Sequence, residues 1–560
     1  MKKIFAVISI IIIGAVLSAQ LPDAMKWHKL ELVFTSSVSY QNPVQDVASF
    51  EVTFTSPSGI QKTINGFWDG GDTWKARFMP FETGKWTYET TCSDKKNTGL
   101  DKQNGSFVCK QNTDQKDIYS HGPVINPPGT YYLTHSDGTP FFWLACTAWN
   151  GALKSTDSEW DHYLQQRTSN NYSAIQLVTT EFRGCDKNAE GLTAVQGCGK
   201  ISVNPEFFRR IDKKIDKVNE YGLVAAPVIL WALPVAAGKE LSPGYYLPDD
   251  QAILLAKYIV ARYGGNHVVW ILGGDGFYTG SFEQRWKTIG RDVFDGKQQG
   301  IVTLHPSGTS WIGEAYKDEP WLDIIGYQSS HSNSEGTVNW ITKGPVSKMW
   351  SHLPARPIIN LEPNYEQIFF KITDRDVRNA SYWSIFAAPV AGVTYGANGI
   401  WPWLRAGEKI INHEDAAGTS TWDVSINFPG SIQMGYLAQF IKRFAWWNFY
   451  PAQELLVNQP GDKVYNHFVS VTKTTDNKTI LVYIPVKSTI MLRKPAGRNY
   501  TVRWFDPVKN TYSDGTGSDD GMVLTVTSPG DGDMLLILEE IIPVKDIKLP
   551  GKRNIIKGKN

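Results

Sequence analysis

Between Phe141 and Trp401 two patterns of apolar and polar positions alternate along the chain. Continuous apolar runs occur at Phe141–Trp149, Ala174–Glu181, Leu223–Leu230, Val268–Asp275, Gly300–His305, Asp323–Ser329, Pro357–Glu362 and Gly392–Trp401. A run apolar at every position, not at alternate ones, predicts a strand covered on both faces. Between most of the runs, apolar residues recur at helical spacing. The clearest case is Asn204–Val218, where Asn204 is suited to cap the helix and Pro205 to its first position. Eight such strands with intervening helices predict a parallel (β/α)8 barrel. Only a short helical stretch fits between Gly300 and Asp323.

The flanks follow a different rule. From about 21 to 115 the chain has short alternating stretches, Ala48–Phe54, Trp74–Phe78 and Trp86–Thr90, with turns at Pro57–Gly59 and Asp69–Gly71. That spacing predicts a small β-sandwich, immunoglobulin-like in size. A Pro/Gly-rich connector, Gly122–Gly129, leads to the barrel. After a last helix at Ile432–Trp447, strand patterns return at His467–Val471, Thr479–Ile484, Tyr500–Trp504 and Met534–Leu538. The expected fold is a multidomain chain, a central (β/α)8 TIM barrel flanked by N-terminal and C-terminal β-sandwich domains. Its expected divisions are a signal peptide over 1–19, a sandwich over 20–116, the barrel over 117–448, a second sandwich over 449–541 and a basic tail over 542–560.

Composition narrows the function. Lys and Arg number 56 against 55 Asp and Glu, a net charge of +1, so neither nucleic acid nor an anionic membrane is expected as a partner. The 21 Trp and 24 Tyr residues suit core packing and also stacking against sugar rings. Lys2 and Lys3, the apolar run Phe5–Val16 and the small pair Ser18–Ala19 read as a signal peptide cleaved before Gln20. That run is shorter than the ~20 residues of a membrane span. The expectation is a secreted or periplasmic monomer with no membrane span. Of five cysteines, Cys92 with Cys109 and Cys185 with Cys198 flank loops and suit disulfides in that compartment, leaving Cys146 alone in an apolar strand. No Cys/His cluster indicates a metal, and no cofactor is expected.

Asp275 and Glu362 each stand where an apolar strand ends, on the fourth and seventh strands. In a barrel these ends share one mouth, where catalytic groups gather. Glycoside hydrolysis needs a proton donor to the leaving oxygen and a second carboxylate, as nucleophile or as base for water, so the pair suits cleavage of a glycosidic bond. Glu181, at the end of the second strand, is a substrate ligand or replacement acid, or a structural group salt-bridged near Arg183. His305 and His331 follow the fifth and sixth strands and suit hydroxyl binding. Trp149, Trp231, Trp401 and Trp403 lie at or beyond strands one, three and eight, and Gln328, Tyr365 and Glu366 are further candidates for the pocket wall. Two other readings compete: a carbohydrate- or matrix-binding protein on a degenerate barrel, and a metal-dependent hydrolase.

The segments Trp270–Asp275, Leu361–Glu366, Tyr382–Ser384 and Thr394–Trp401 together resemble the apiosidase-like glycoside hydrolase family, over about 120 to 450. That family includes an enzyme removing apiose from the pectic polysaccharide rhamnogalacturonan II. Residues 21–115 resemble the β-sandwich often found before such barrels. The C-terminal part, with Trp504–Pro507, resembles the module that carries a collagen-binding label in this family. The resemblance implies a hydrolase of plant or algal poly- or oligosaccharide, with Asp275 as general acid, Glu362 as nucleophile and a retaining outcome. Asp275 stands where related retaining barrels carry an Asn-Glu pair, and its side chain is one methylene shorter. The sugar, the linkage and exo or endo action are left open.

Overall fold

The computed structural model describes residues 24–297, 300–413 and 419–541. The expected signal peptide with its cleavage point, and the basic tail, lie outside the described residues. The eight apolar runs form the strands of one parallel sheet: β1 (Trp143–Thr147), β2 (Ala174–Val178), β3 (Val224–Trp231), β4 (Val269–Gly276), β5 (Ile301–Pro306), β6 (Ile325–Gln328), β7 (Ile358–Glu362) and β8 (Gly392–Ala397). Neighbours pair in the order β5-β4-β3-β2-β1-β8-β7-β6. A parallel bridge between Thr303 and Ile324 brings β5 to the segment entering β6, so the sheet closes nearly fully on itself. This is a TIM barrel. Residues 307–324, between β5 and β6, hold turns and no helix, where a short helix was expected.

Helix α1 (Pro205–Glu220) forms as the pattern predicts. The Asn204 side chain accepts from the Glu206 amide at 3.1 Å, and Pro205 fills a position whose missing N–H costs the helix nothing. Its inward stripe, Phe207, Phe208, Ile211, Ile215 and Val218, is fully buried. Each of these contributes up to ~1.5–3 kcal/mol by leaving water, and Ile215→Ala would cost ~2–5 kcal/mol through the cavity it leaves. The last barrel helix spans Pro429–Lys442 and stops short of the expected Trp447. Trp446 instead lies in a 3-10 turn and packs on Phe142, ring centroids 5.4 Å apart.

Before the barrel, a five-stranded sheet (Ala24–Met25, Phe50–Thr55, Gln61–Asn65, Gly84–Cys92, Asn104–Lys110) faces a three-stranded one (Leu30–Thr35, Phe67–Trp68, Thr73–Phe78). Both contribute to one cluster, in which Phe54 of the first stacks on Phe78 of the second at 4.1 Å. Buried and half-buried residues alternate along Phe50–Thr55, the two-residue period of a strand covered on one face. After the barrel, a six-stranded and a three-stranded sheet share a second cluster built on Val482, Ile490, Trp504, Leu524 and Leu536. The first of these C-terminal strands to match the pattern runs Ser470–Thr474, three residues later than expected.

Buried polar contacts hold these units to the barrel. Arg77, on strand Thr73–Phe78, donates to Asp212 of α1 at 2.7 Å, and Arg262 of α2 (Asp249–Tyr263) binds Asp212 at 2.7 Å and Asp69 at 2.8 Å. On the other side Arg378 of α3 (Asp374–Phe386) pairs with Asp533 at 2.7 Å, and Tyr382 stacks on Tyr483 at 4.6 Å.

The expected disulfides are absent. All five cysteines are free. The hairpin register pairs Cys109 with Gly84, at the opposite end of the strand from Cys92. At ~3.3 Å per residue the two cysteines stand roughly 26 Å apart along the strand, far beyond the ~4.4–6.8 Å that a bridge allows. Cys185 is buried, with its Sγ 3.0 Å from the Lys187 carbonyl, while Cys198 is exposed.

Candidate active site

The C-terminal end of β4 is shaped by glycine. Added Cβ atoms would come within 2.5 Å of the Tyr278 hydroxyl at Gly273, and within 2.7 Å of Val228 and Trp231 at Gly274. The pairing of β4 with β5 slips twice, after Ile271 and after Gly274. This irregularity re-aims the next side chain, and Asp275 adopts a φ of 49°, a left-handed conformation that Asp tolerates better than most residues. The Ser307 hydroxyl donates to the Asp275 carbonyl at 3.0 Å and fixes this turn.

Glu362, the last residue of β7, meets a different environment. Gln328 Nε2 at the end of β6 donates to its Oε1 at 2.7 Å, and His331 Nε2 reaches the same oxygen at 2.9 Å. The other nitrogen of His331 faces the Pro363 carbonyl at 2.9 Å, so both ring nitrogens meet acceptors. His305 Nε2 lies 3.2 Å from Glu362 Oε2, close enough for charge pairing but out of line for a hydrogen bond. Burial pushes the Glu362 pKa up; the contacts with His305 and His331 outweigh it and hold the group well below the usual carboxylate range. For Asp275 burial again comes first, and the Glu362 charge adds to it. Together these prevail over the opposing pull of His305, Arg183 and His331, and its pKa rises from 3.8 to about 6. Among the described residues no protein group donates to the Asp275 carboxylate.

Both carboxylates line one cavity of about 250 Å³ at the barrel mouth. Trp149, Trp231, Gln328, His331, Tyr365 and Trp401 line it with them. Trp149 packs edge-on against Trp231 and His305, at 5.6 and 5.4 Å. His305 itself is fully buried behind this wall, with Nε2 toward Glu362 and Nδ1 receiving the Asp275 backbone N–H at 3.4 Å. Three residues named from the sequence are placed elsewhere. Trp403 is buried outside the cavity, stacked on Trp422 at 4.8 Å and beside Trp160. Glu366 receives the Tyr395 hydroxyl at 2.7 Å and the Gly430 amide at 3.1 Å; it follows Tyr365 on a short strand, and successive side chains point to opposite faces. Glu181 accepts from the Ala194 amide at 2.8 Å and makes no ion pair with Arg183, so it braces a loop.

The cavity also holds residues that the sequence reading did not name as site members: Phe182, Arg183, Ile368, Phe369, Asn398 and His413. All follow strand ends, in loops whose paths no periodicity encodes. The available signal was position, since Phe182 and Arg183 stand just past Glu181, and Asn398 lies within the Thr394–Trp401 segment. Phe369 and its neighbour Phe370 are exposed and take φ values of 52° and 54°. Several polar atoms of lining residues are buried without a protein hydrogen-bond partner: Tyr365 Oη, Trp231 Nε1, Trp401 Nε1, Gln328 Oε1, Asn398 Oδ1 and Arg183 Nε. Buried polar groups normally find partners, so a cluster of unpaired ones in one cavity marks a place for a polar ligand.

A TIM barrel with a cavity of acidic, aromatic and unpaired polar groups at its C-terminal mouth has the build of the barrel glycosidases. The family model "Apiosidase-like, catalytic domain" matches residues 128–448, more than half of the chain, which therefore belongs to that family. A domain of unknown function, DUF5060, matches residues 23–93. Three solved structures share the fold. A glycoside hydrolase is 23% identical, with a TM-score of 0.64 over 75% of this chain and 97% of its own. A family 5 glycoside hydrolase from Bacteroides vulgatus ATCC 8482 is 21% identical, with a TM-score of 0.65 over 75% and 94%. Another protein from that organism, provisionally named a glycoside hydrolase, is 17% identical, with a TM-score of 0.68 over 93% and 100%. No functionally curated protein matches the chain. Family and fold together support glycosidase activity on a carbohydrate substrate. Among the described residues, no helix is long and apolar enough to cross a membrane.

Proposed function

We propose that the protein is an exported glycoside hydrolase that cleaves a plant or algal polysaccharide, or an oligosaccharide from one, with Asp275 as general acid and Glu362 as nucleophile in a retaining reaction. The observation that carries this reading is the contrast between two carboxylates in one cavity. Glu362 is held ionised by Gln328, His331 and His305, while Asp275 receives no donor and has its pKa raised to about 6. An acid that keeps its proton beside a base that has lost its own is the division of labour that glycoside cleavage requires. Asp275 protonates the leaving oxygen as Glu362 attacks the anomeric carbon. The same Asp275, now ionised, then takes a proton from the water that releases the sugar from Glu362. The unpaired lining atoms suit sugar hydroxyls, and Trp149, Trp231 and Trp401 suit the ring faces.

The paired sheets at each end are read as β-sandwich domains, and the chain as a monomer exported through its N-terminal signal. The test of the chemistry is a pair of variants. Asp275→Asn should lose ~10²–10⁴-fold on natural glycosides and much less on aryl glycosides whose leaving groups need no proton, whereas Glu362→Gln should lose activity on both. Equal losses on both substrate classes for Asp275→Asn would remove it as the acid. Proton NMR of the first-formed anomer tests retention.

A further inference from the structure

Where the N-terminal sheets meet α2, a cavity of about 200 Å³ stays open. Trp68 and Trp74 stand directly opposite each other on neighbouring strands, and both line it. Trp74 is buried, edge-on to Phe50 at 5.7 Å. Trp68 is half-buried, and among the described residues no other aromatic ring stacks on it. Its position is nonetheless fixed twice. The indole Nε1 donates to the Gly71 carbonyl at 2.8 Å, and the Trp68 carbonyl accepts from the Tyr258 hydroxyl of α2 at 3.0 Å. A large ring, partly open to solvent and held still, is a binding platform prepared in advance.

The polar side of the cavity is unfinished. Lys257 of α2 is half-buried, and among the described residues its ammonium makes no hydrogen bond or ion pair. The side-chain amide of Asn65 makes none either. Glu51 gives one oxygen to Lys297 at 2.8 Å, and its other oxygen accepts from no described group. The charges lining the cavity balance, Lys257 and Lys297 against Glu51 and Asp295. A phosphate would find no excess of cations here, and a lipid tail would meet too many polar groups. A sugar ring meets neither obstacle, because its hydroxyls both donate and accept and its apolar face can lie on an indole. The volume falls below the ~300–1,000 Å³ of pockets that enclose a drug-sized ligand, so a single ring is the fitting occupant.

We propose that this junction is a second carbohydrate-binding site, which takes one neutral ring of a polysaccharide and anchors the protein to the polymer. Glu51, Asn65, Trp68 and Trp74 all lie within the DUF5060 segment, residues 23–93, and the site gives that segment a task. The binding chemistry uses none of the catalytic groups, and only the benefit of anchoring rests on the glycosidase reading. Lys297 stands just before β5, whereas Asp275 and Glu362 stand at the C-terminal ends of β4 and β7, so the site lies toward the opposite end of the barrel. A ring held here is remote from the bond being cleaved. It keeps the protein on the polymer and raises the effective concentration of the cleavable bonds nearby.

The test is native electrophoresis of the full chain through gels that contain galactan, arabinan, glucomannan or laminarin. At least one polymer should slow the wild-type protein. The double variant Lys257→Ala with Asn65→Ala, and separately Trp68→Ala, should weaken that retardation about 10-fold, while Trp401→Ala, which alters the catalytic cavity, should keep it. Lys257 and Asn65 hold no described partner, so the double variant should melt with wild type, and the test does not depend on Trp68→Ala folding. On soluble aryl glycosides the double variant should match wild type, yet it should fall behind on dilute polymer. The inference is overturned if no polymer slows the wild-type protein, or if the double variant is slowed as much as wild type. Retardation that needs Lys257 and Asn65, without hydrolysis of any glycoside, would sink the glycosidase reading alone. Hydrolysis without retardation would sink this inference alone.

Discussion

Replacing Asp275 with asparagine should make the protein more stable at alkaline pH while disabling it. The Asp275 carboxyl has its pKa raised from 3.8 to about 6, by burial first and the Glu362 charge second, so the folded state holds this proton more tightly than the unfolded chain. Below about pH 4 both states are protonated and the residue costs nothing. Between pH 4 and 6 the unfolded chain ionises while the folded state resists, and folding loses free energy progressively. Above pH 6 the full penalty applies. A rise of two units corresponds to ~3 kcal/mol, and solvent contact at the cavity mouth lowers this to about 1–3 kcal/mol. Asparagine is neutral throughout and escapes the penalty. Scanning calorimetry of the two proteins should place the Asp275→Asn midpoint a few degrees above wild type at pH 8 and level with it near pH 4. Turnover of natural glycosides should fall ~10²–10⁴-fold. A variant that melts no higher than wild type at pH 8, or that shows the same offset at both pH values, would refute the picture of a carboxyl held out of water beside a second negative charge.

Further outcomes follow from the same geometry. Wild-type kcat/KM should decline above about pH 6 as Asp275 ionises. His331→Ala removes a donor and a neighbouring charge from Glu362, so its pKa should rise and the acid limb of the pH–rate profile should move upward; an unmoved limb would argue against His331 as its partner. Trp401→Ala should raise KM with little change in melting temperature, whereas Trp403→Ala should cost ~3–5 kcal/mol of stability, because one ring lines the cavity and the other is stacked inside the fold. Thiol labelling of the denatured, unreduced protein should count five free cysteines, and reductant should leave the melting temperature unchanged.

The barrel strands were legible because a strand covered on both faces has a sequence pattern of its own, and each of the eight apolar runs became one. Glu362 and Asp275 were legible as carboxylates at strand ends. What lay beyond those ends was harder to read. Trp401 and Trp403 look equivalent in the sequence, yet Trp403 takes a φ of 49° and turns in toward Trp422 while Trp401 faces His413 in the cavity. The pairing of Cys92 with Cys109 failed on hairpin register, since spacing alone does not say that Cys109 sits opposite Gly84. Arg183 went unnamed as a site residue because its placement depends on Asn412, 229 residues away, through contacts that no local pattern encodes.

The charged cluster beneath the N-terminal sheets has a bearing on how the chain comes to be made. Arg77 finds Asp212 135 positions further along, and until α1 exists its only carboxylate partner is Glu31 on the neighbouring strand, at 2.8 Å. Synthesis therefore completes the N-terminal sheets with Arg77 paired only to Glu31 and Asp69 only to Lys75, and their docked arrangement has to wait for the first half of the barrel. The reverse holds for a barrel cut free of its N-terminal neighbour. Arg262, fully buried in the whole molecule, would lose Asp69, and Asp212 would lose Arg77. Arg262 and Asp212 would keep each other, but each would be left with half of its partners on a face built to be covered. The join between the two units thus behaves as the interior of one folding body, and recombination that exchanges the front unit for another must carry the matching residues of α1 and α2 with it.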